Sequence, residues 1–159
     1  MQVVQVMTDE IEITELDWEV RAFVYRFFIE NQRPPTDAET AEQFNLDQEA
    51  AQEAYLRLHQ RHQFFLQPGT RQILIANPLS ATPTPYQVMI QGQKLWATCA
   101  WDSLGIPAMC QADALIEARD VLSGETIHYH IRNGQLESPN YVVHFSLAAR
   151  HWYDDLVHT

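Results

Sequence analysis

The sequence predicts an α+β protein in which an N-terminal winged-helix-like domain of three helices precedes a domain of mostly antiparallel strands. Over residues 10–76, apolar side chains recur at spacings of three and four, and a short hairpin pattern follows them. After a proline-rich linker at residues 77–85, apolar residues occur in short runs separated by turn residues. With 159 residues and 46% hydrophobic content, the chain is long and apolar enough to bury a core.

Three helices are predicted in the first domain. The apolar spacing places the first over residues 15–31, and the two prolines that follow end it. A capping box, in which Thr36 and Glu39 each satisfy a free backbone N–H, begins a second helix that runs to about Phe44. The third helix is expected from residue 48 to about residue 62, and two short strands at residues 64–66 and 72–75 complete the winged-helix order.

DNA binding through the third helix is the function that this order suggests, and the charges argue against it. The helix opens with Asp47, Glu49 and Glu53, where a DNA-reading helix carries basic or amide side chains. The whole chain has a formal net charge of −11, which disfavours phosphate backbones and anionic membranes. We therefore predict neither a nucleic-acid nor a membrane partner. A winged-helix regulatory module is the alternative, and a basic patch of Arg57, Arg61 and Arg71 would support it.

The compartment is predicted from the N-terminus and from the cysteines. Residues 1–7 lack the basic region and the long apolar stretch of a signal peptide, so we expect a cytoplasmic protein. Only two cysteines occur, Cys99 and Cys110. In a reducing cytosol we expect both to be free thiols.

The second domain is predicted over residues 86–159, with short strands as its main elements. A turn around Gly92 joins the first two of these strands, and residues 99–107 form a short helix or turn after the second. The predicted strands are residues 86–90, 94–98, 112–118, 125–132 and 141–147.

Cys99 and Asp102 are the residues most suited to chemistry. Cys99 follows a predicted strand and begins a helical turn, where the partial positive charge of a helix start favours the thiolate. Asp102 lies three residues later, so both side chains can face one pocket. A thiolate beside a carboxylic acid suits a soft metal, or an electrophile that also needs a proton. The alternative is that Cys99 is an ordinary buried apolar residue, as free cysteines often are.

The segment from Trp96 to Pro107, with Cys99, Asp102 and Leu104 at their spacings, resembles the first catalytic segment of the organomercurial (alkylmercury) lyases. The helical domain and the proline-rich linker also match that family's layout. The resemblance implies protonolysis of a carbon–mercury bond. Cys99 would bind mercury as a thiolate, and Asp102 would handle the proton for the carbon leaving group. Mercury enters as part of the substrate, and we expect no cofactor.

The same resemblance requires a second cysteine to clamp mercury. Cys110 does not occupy the family's position for it. One alignment places Asn140 there, and the alignment we prefer places the counterpart just beyond Thr159. We therefore expect an incomplete second domain and doubtful activity. An open sheet edge could lead to a homodimer.

A third class of function is a non-enzymatic protein that binds or senses a soft metal ion. His128 and His130 lie on one face of a predicted strand and could hold a metal with Cys99 or Cys110. His144 is the candidate third imidazole. The alternative is an exposed polar strand face, because spacing places no third ligand beside the pair.

Overall fold

The computed structural model describes residues 11–120, 122–137, 141–145 and 147–152. Within these residues a helical N-terminal region precedes a strand-rich region, so the α+β prediction is confirmed. The helices are α1 (Glu15–Asn31), α2 (Asp37–Phe44), α3 (Gln48–Gln60) and α4 (Ala100–Cys110), with a 3-10 turn at Ala149–His151. The strands are β1 (Phe65–Leu66), β2 (Ile73–Ala76), β3 (Leu79–Ser80), β4 (Tyr86–Ile90), β5 (Gln93–Ala97), β6 (Ala114–Arg119), β7 (Thr126–Arg132) and β8 (Gln135–Glu137).

The first helices begin at capping boxes. Thr36 and Glu39 form the predicted box at the start of α2. Thr14 and Asp17 form a second one at the start of α1, which the sequence reading did not include. Each box satisfies two backbone N–H groups that would otherwise lack partners. The three helices and the β1–β2 hairpin follow the predicted order, and assignment to the winged-helix class stays a prediction.

An ion pair between Asp17 of α1 and Arg57 of α3 joins two helices of this region. The Arg57 Nε and Nη2 atoms each donate a hydrogen bond of 2.9 Å to the Asp17 carboxylate, and the Asp17 side chain is fully buried. Burial raises the pKa of Asp17, but the hydrogen bonds from Arg57 and Thr14 outweigh it and hold the pKa below its ordinary value. Arg57 is therefore engaged within the helical region.

All the strands belong to one antiparallel sheet, in the order β1-β2-β3-β5-β4-β6-β7-β8. The strand β3 lies inside the predicted linker, where Leu79 and Ser80 are buried and pair with Ala97 and Trp96 of β5. The hairpin of the helical region is thus continuous with the strands that follow. The predicted linker is extended, as its prolines favour, but it contains a strand of the sheet. The division into two domains stays a prediction.

Buried side chains of the helices and of the sheet form one apolar cluster. It includes Val20 and Phe28 of α1, Leu79 of β3, Ile106 of α4 and Ile116 of β6. The helical region therefore packs on the same core as the helix that begins at Cys99. Among the described residues, none of the helices has the length and apolar character needed to cross a membrane.

The last predicted strand, residues 141–147, is wrong over its described part. Residues 141–145 form no strand, and residue 146 lies outside the described residues. The hairpin partner of β7 is instead β8. Asn133 and Gly134 both have positive φ, at 49° and 72°, which is the backbone of a two-residue hairpin turn. Because the turn is this short, the residues directly after it, which form β8, pair with β7.

Replacing Arg57 with Met should lower the free energy of unfolding by about 2 kcal/mol at neutral pH, because a buried carboxylate loses charged donors. The pKa of Asp17 is lowered in the folded protein, so its contribution is present above the unfolded pKa and is lost as the pH falls through the folded one. The difference between the variant and the unsubstituted protein should therefore shrink in acid.

Urea denaturation at several pH values measures this difference. The matched control is Arg33→Met, which removes an exposed ion pair with Glu39 and should cost under about 1 kcal/mol. Equal losses for the two variants would show that the Asp17–Arg57 pair adds nothing beyond an ordinary surface pair.

Candidate functional site

Cys99 lies at the junction of β5 and α4 and is the N-cap residue of that helix. Its backbone is extended, with φ of −149° and ψ of 178°. Its Sγ atom accepts a hydrogen bond from the backbone N–H of Asp102, with an N–S distance of 3.4 Å. Ser, Thr, Asp and Asn usually occupy this position, because their oxygens are better acceptors than sulfur. Cysteine is therefore an unusual residue at this cap position.

The carboxyl group of Asp102 lies in the first turn of the same helix. The hydroxyl of Thr98 donates a hydrogen bond to its Oδ2 atom. Asp102 thus contacts both residues that precede the helix, Thr98 through its side chain and Cys99 through its backbone. The structure brings together Cys99 and Asp102, the two residues predicted as catalytic.

The charge state of Cys99 differs from the prediction that the helix start would favour its thiolate. Burial raises the pKa of the Cys99 thiol above its ordinary value, and the negative charge of Asp102 raises it further. The hydrogen bond from the Asp102 backbone N–H lowers the pKa but does not outweigh burial. The surroundings of this half-buried side chain therefore favour the thiol over the thiolate. Desolvation was not visible in the sequence.

A cleft of about 570 Å³ opens beside the start of α4. Ala100 and Leu104 of α4 form part of its wall, together with Tyr86 and Tyr129. Burial raises the pKa of Tyr86, and the nearby Cys99 adds to the shift, so Tyr86 lies within electrostatic reach of the thiol. The volume falls within the range of small-molecule sites. An apolar and aromatic cleft thus lies next to Cys99. Its remaining walls are formed by Ala118, Arg119, Asp120, Leu122, Ile127, Leu136, Tyr141, Val142, Val143 and His144.

The other predicted ligands that the structure describes are Cys110, His128, His130 and His144. Cys110 is the last residue of α4, whose helical rise places it roughly 16 Å along the axis from Cys99. His128 and His130 are exposed on one face of β7, as predicted, where their partners in the register include Glu117 and Glu137. Among the described residues, no group of three metal-binding side chains is present. Asn140, a candidate for the second mercury ligand, lies outside the described residues.

Three residues near the site were missed by the sequence reading. Thr98 contacts Asp102, Asn77 lies beside Thr98, and Tyr25 of α1 contacts Asn77. The spacing of four residues between Thr98 and Asp102, across a helix start, could have indicated the first contact. The contact between Tyr25 and Asn77 spans 52 residues of sequence and has no local signal.

Comparisons with known proteins identify the family of the chain. The family model of MerB, described as alkylmercury lyase, matches residues 79–159, just over half of the chain. A solved structure, the crystal structure of the mercury-bound form of MerB2, is similar with a TM-score of 0.66 and 25% sequence identity. The similarity covers 80% of this chain and 61% of that one. The search of curated proteins found no match. The matched region contains both Cys99 and Asp102, and the chain belongs to the alkylmercury lyase family.

Proposed function

We propose that this protein binds an organomercurial through Cys99 and cleaves its carbon–mercury bond with a proton from Asp102. The observation that carries the proposal is that both groups lie at the start of α4. The backbone N–H of Asp102 donates a hydrogen bond to the Cys99 sulfur, with an N–S distance of 3.4 Å. A soft metal prefers sulfur to oxygen ligands, which explains a cysteine at this cap. The family match supports the same chemistry.

The first step is a ligand exchange on mercury. Cys99 loses its proton, its sulfur bonds to mercury, and the substrate's original counter-ligand leaves as an anion, which gives Cys99–S–Hg–R. The raised pKa of Cys99 means that the thiol must lose its proton as mercury binds. Asp102 is the nearest carboxylate on the helix that could take that proton. The organic group R would occupy the cleft beside Ala100 and Leu104.

The second step is protonolysis. A proton passes from the Asp102 carboxyl to the mercury-bound carbon, the carbon–mercury bond breaks, and the hydrocarbon R–H leaves. Mercury then needs another ligand in place of carbon. Cys110 is roughly 16 Å away along α4 and cannot supply it to the same ion. We propose that a thiolate from solution does so, which gives Cys99–S–Hg–S–R′ and leaves Asp102 as a carboxylate.

A related candidate function is stoichiometric capture without turnover. The observation that favours it is that one cysteine thiol, Cys99, lies at the described site, whereas sulfur ligands on both sides of mercury weaken its bond to carbon. The two functions differ in the release of the hydrocarbon. Added thiol should accelerate that release if the protein is a lyase, and should leave it at the uncatalysed rate if the protein only captures mercury.

The capture step predicts which cysteine forms the adduct. With an arylmercury compound at a 1:1 ratio, intact-protein mass spectrometry should show one adduct on the unsubstituted protein and on Cys110→Ser. Cys99→Ser should form it at least about tenfold more weakly in the presence of a competing thiol. The Cys110→Ser protein is the matched control, because that thiol is also partly buried. An adduct that is lost in Cys110→Ser and kept in Cys99→Ser would show that we have chosen the wrong thiol.

The proton-transfer step predicts a different result for Asp102→Asn. The amide keeps the size of the side chain and can still accept from Thr98, but it cannot deliver a proton. The amount of adduct at equilibrium should stay within about twofold of the unsubstituted protein, because water or buffer can take the Cys99 proton in place of Asp102. Release of the arene in excess thiol, measured by gas chromatography, should fall by about 100-fold or more. Unchanged release would remove Asp102 from the mechanism and leave Cys99 capture as the function.

A further inference from the structure

The turn between β2 and β3 lies among three elements near the site. The Tyr25 hydroxyl of α1 donates to the Asn77 carbonyl over 2.8 Å. On the opposite side, the backbone N–H of Thr98 donates to the Pro78 carbonyl over 3.3 Å. Gly105 of α4 lies so close that an added Cβ would be 3.5 Å from the Pro78 ring. The turn therefore joins α1, the end of β5 and α4.

The Thr98 hydroxyl lies between the turn and the carboxyl of Asp102. Its Oγ1 atom contacts Asp102 Oδ2 and lies 3.5 Å from the amide oxygen Oδ1 of Asn77. A hydroxyl has one proton, and the carboxylate takes it, because a carboxylate can only accept. The turn therefore holds Thr98 through the Pro78 carbonyl, which accepts a hydrogen bond from the Thr98 backbone N–H. The turn, Thr98 and Asp102 are thus linked in series by hydrogen bonds, and the last of these is accepted by the carboxylate.

The outer end of this series is fixed by α1. The guanidinium of Arg21 lies 4.7 Å from the centre of the Tyr25 ring, and its Nη2 atom donates to the Tyr25 hydroxyl over 3.3 Å. The Tyr25 proton is therefore free to go to Asn77. Tyr25 of α1 holds the turn by this hydrogen bond, and the turn holds Thr98. The position of Thr98 therefore depends on α1.

We propose that Thr98 is a positioning residue that holds the Asp102 carboxyl beside Cys99, and that the turn, held by Tyr25, holds Thr98. This rests on the proposed function of Asp102 as proton donor. The hydrogen bond from Thr98 occupies Oδ2 and fixes the side-chain rotamer, so that Oδ1 carries the proton toward the mercury-bound carbon. The helical region thereby has a part in the chemistry as the support of this turn.

The test compares Thr98→Val, which keeps the shape of the side chain without its hydroxyl, with Thr98→Ser, which restores the hydroxyl. The first measurement uses NMR on the protein without substrate. The three-bond couplings across the Cα–Cβ bond of Asp102 report its side-chain rotamer. The unsubstituted protein and Thr98→Ser should show one rotamer, and Thr98→Val a mixture. The second is arene release from the preformed Cys99 adduct in excess thiol, which Thr98→Val should slow by about tenfold. Adduct formation should stay within about twofold in all variants.

Two further variants separate positioning from general stability. Thr84→Val is the matched control, because the Thr84 hydroxyl donates to the Ala97 carbonyl over 2.6 Å, next to Thr98 in the chain. It should leave the Asp102 rotamer and arene release unchanged. Tyr25→Phe removes the hydroxyl that holds the turn and should slow release about threefold.

Different results would contradict the positioning role and the proposed lyase function. One Asp102 rotamer in Thr98→Val would overturn the positioning role, whatever the rates. Absence of arene release from the unsubstituted protein would contradict the proposed lyase function, and the couplings would still decide whether Thr98 orders the carboxyl. Equal slowing by Thr84→Val and Thr98→Val would assign the effect to a general disturbance of β5 and would overturn the proposal.

Discussion

The hydrogen bond from the Asp102 N–H to the Cys99 sulfur sets the start of α4, and the geometry of the site depends on where this helix starts. One residue earlier or later, the thiol would leave the cap position and the carboxyl would turn to another face, since each residue of a helix rotates the side chain by about 100°. A sulfur cap is weaker than an oxygen cap. The helix is therefore held in register by other contacts, which come from the sheet and from the turn before β3.

The sheet holds the strand that leads into Cys99. The strand β5 lies between β3 and β4, so it is paired on both sides. Ala97, its last residue, is fully buried and pairs with Leu79. Although β3 has only two residues, it joins the hairpin of the helical region to β5, the strand that leads into the site. Ile106 of α4 then packs into the same apolar cluster as Val20 of α1.

Much of this architecture could be predicted from local sequence signals. The capping box of Thr36 and Glu39 begins α2 where it was expected, and the proximity of Cys99 and Asp102 at the start of α4 follows from their spacing of three. What could not be predicted depends on contacts distant in sequence or on burial. A strand of two residues has no periodicity, the contact of Tyr25 with Asn77 spans 52 residues, and the raised pKa of Cys99 reflects desolvation in the folded chain. The resemblance to the alkylmercury lyases led to the proposal of an organomercurial as the electrophile, because spacing alone left the choice open between a soft metal and other acceptors of a thiolate.

The most direct measurement of the central claim is anomalous X-ray diffraction at the mercury edge from crystals soaked with one equivalent of an arylmercury compound. The account predicts one dominant mercury peak within bonding distance of Cys99 Sγ, with the Asp102 carboxyl facing the mercury-bound carbon and the aryl ring in the cleft beside Ala100 and Leu104. A dominant peak at Cys110 or between His128 and His130, with Cys99 unoccupied, would contradict it.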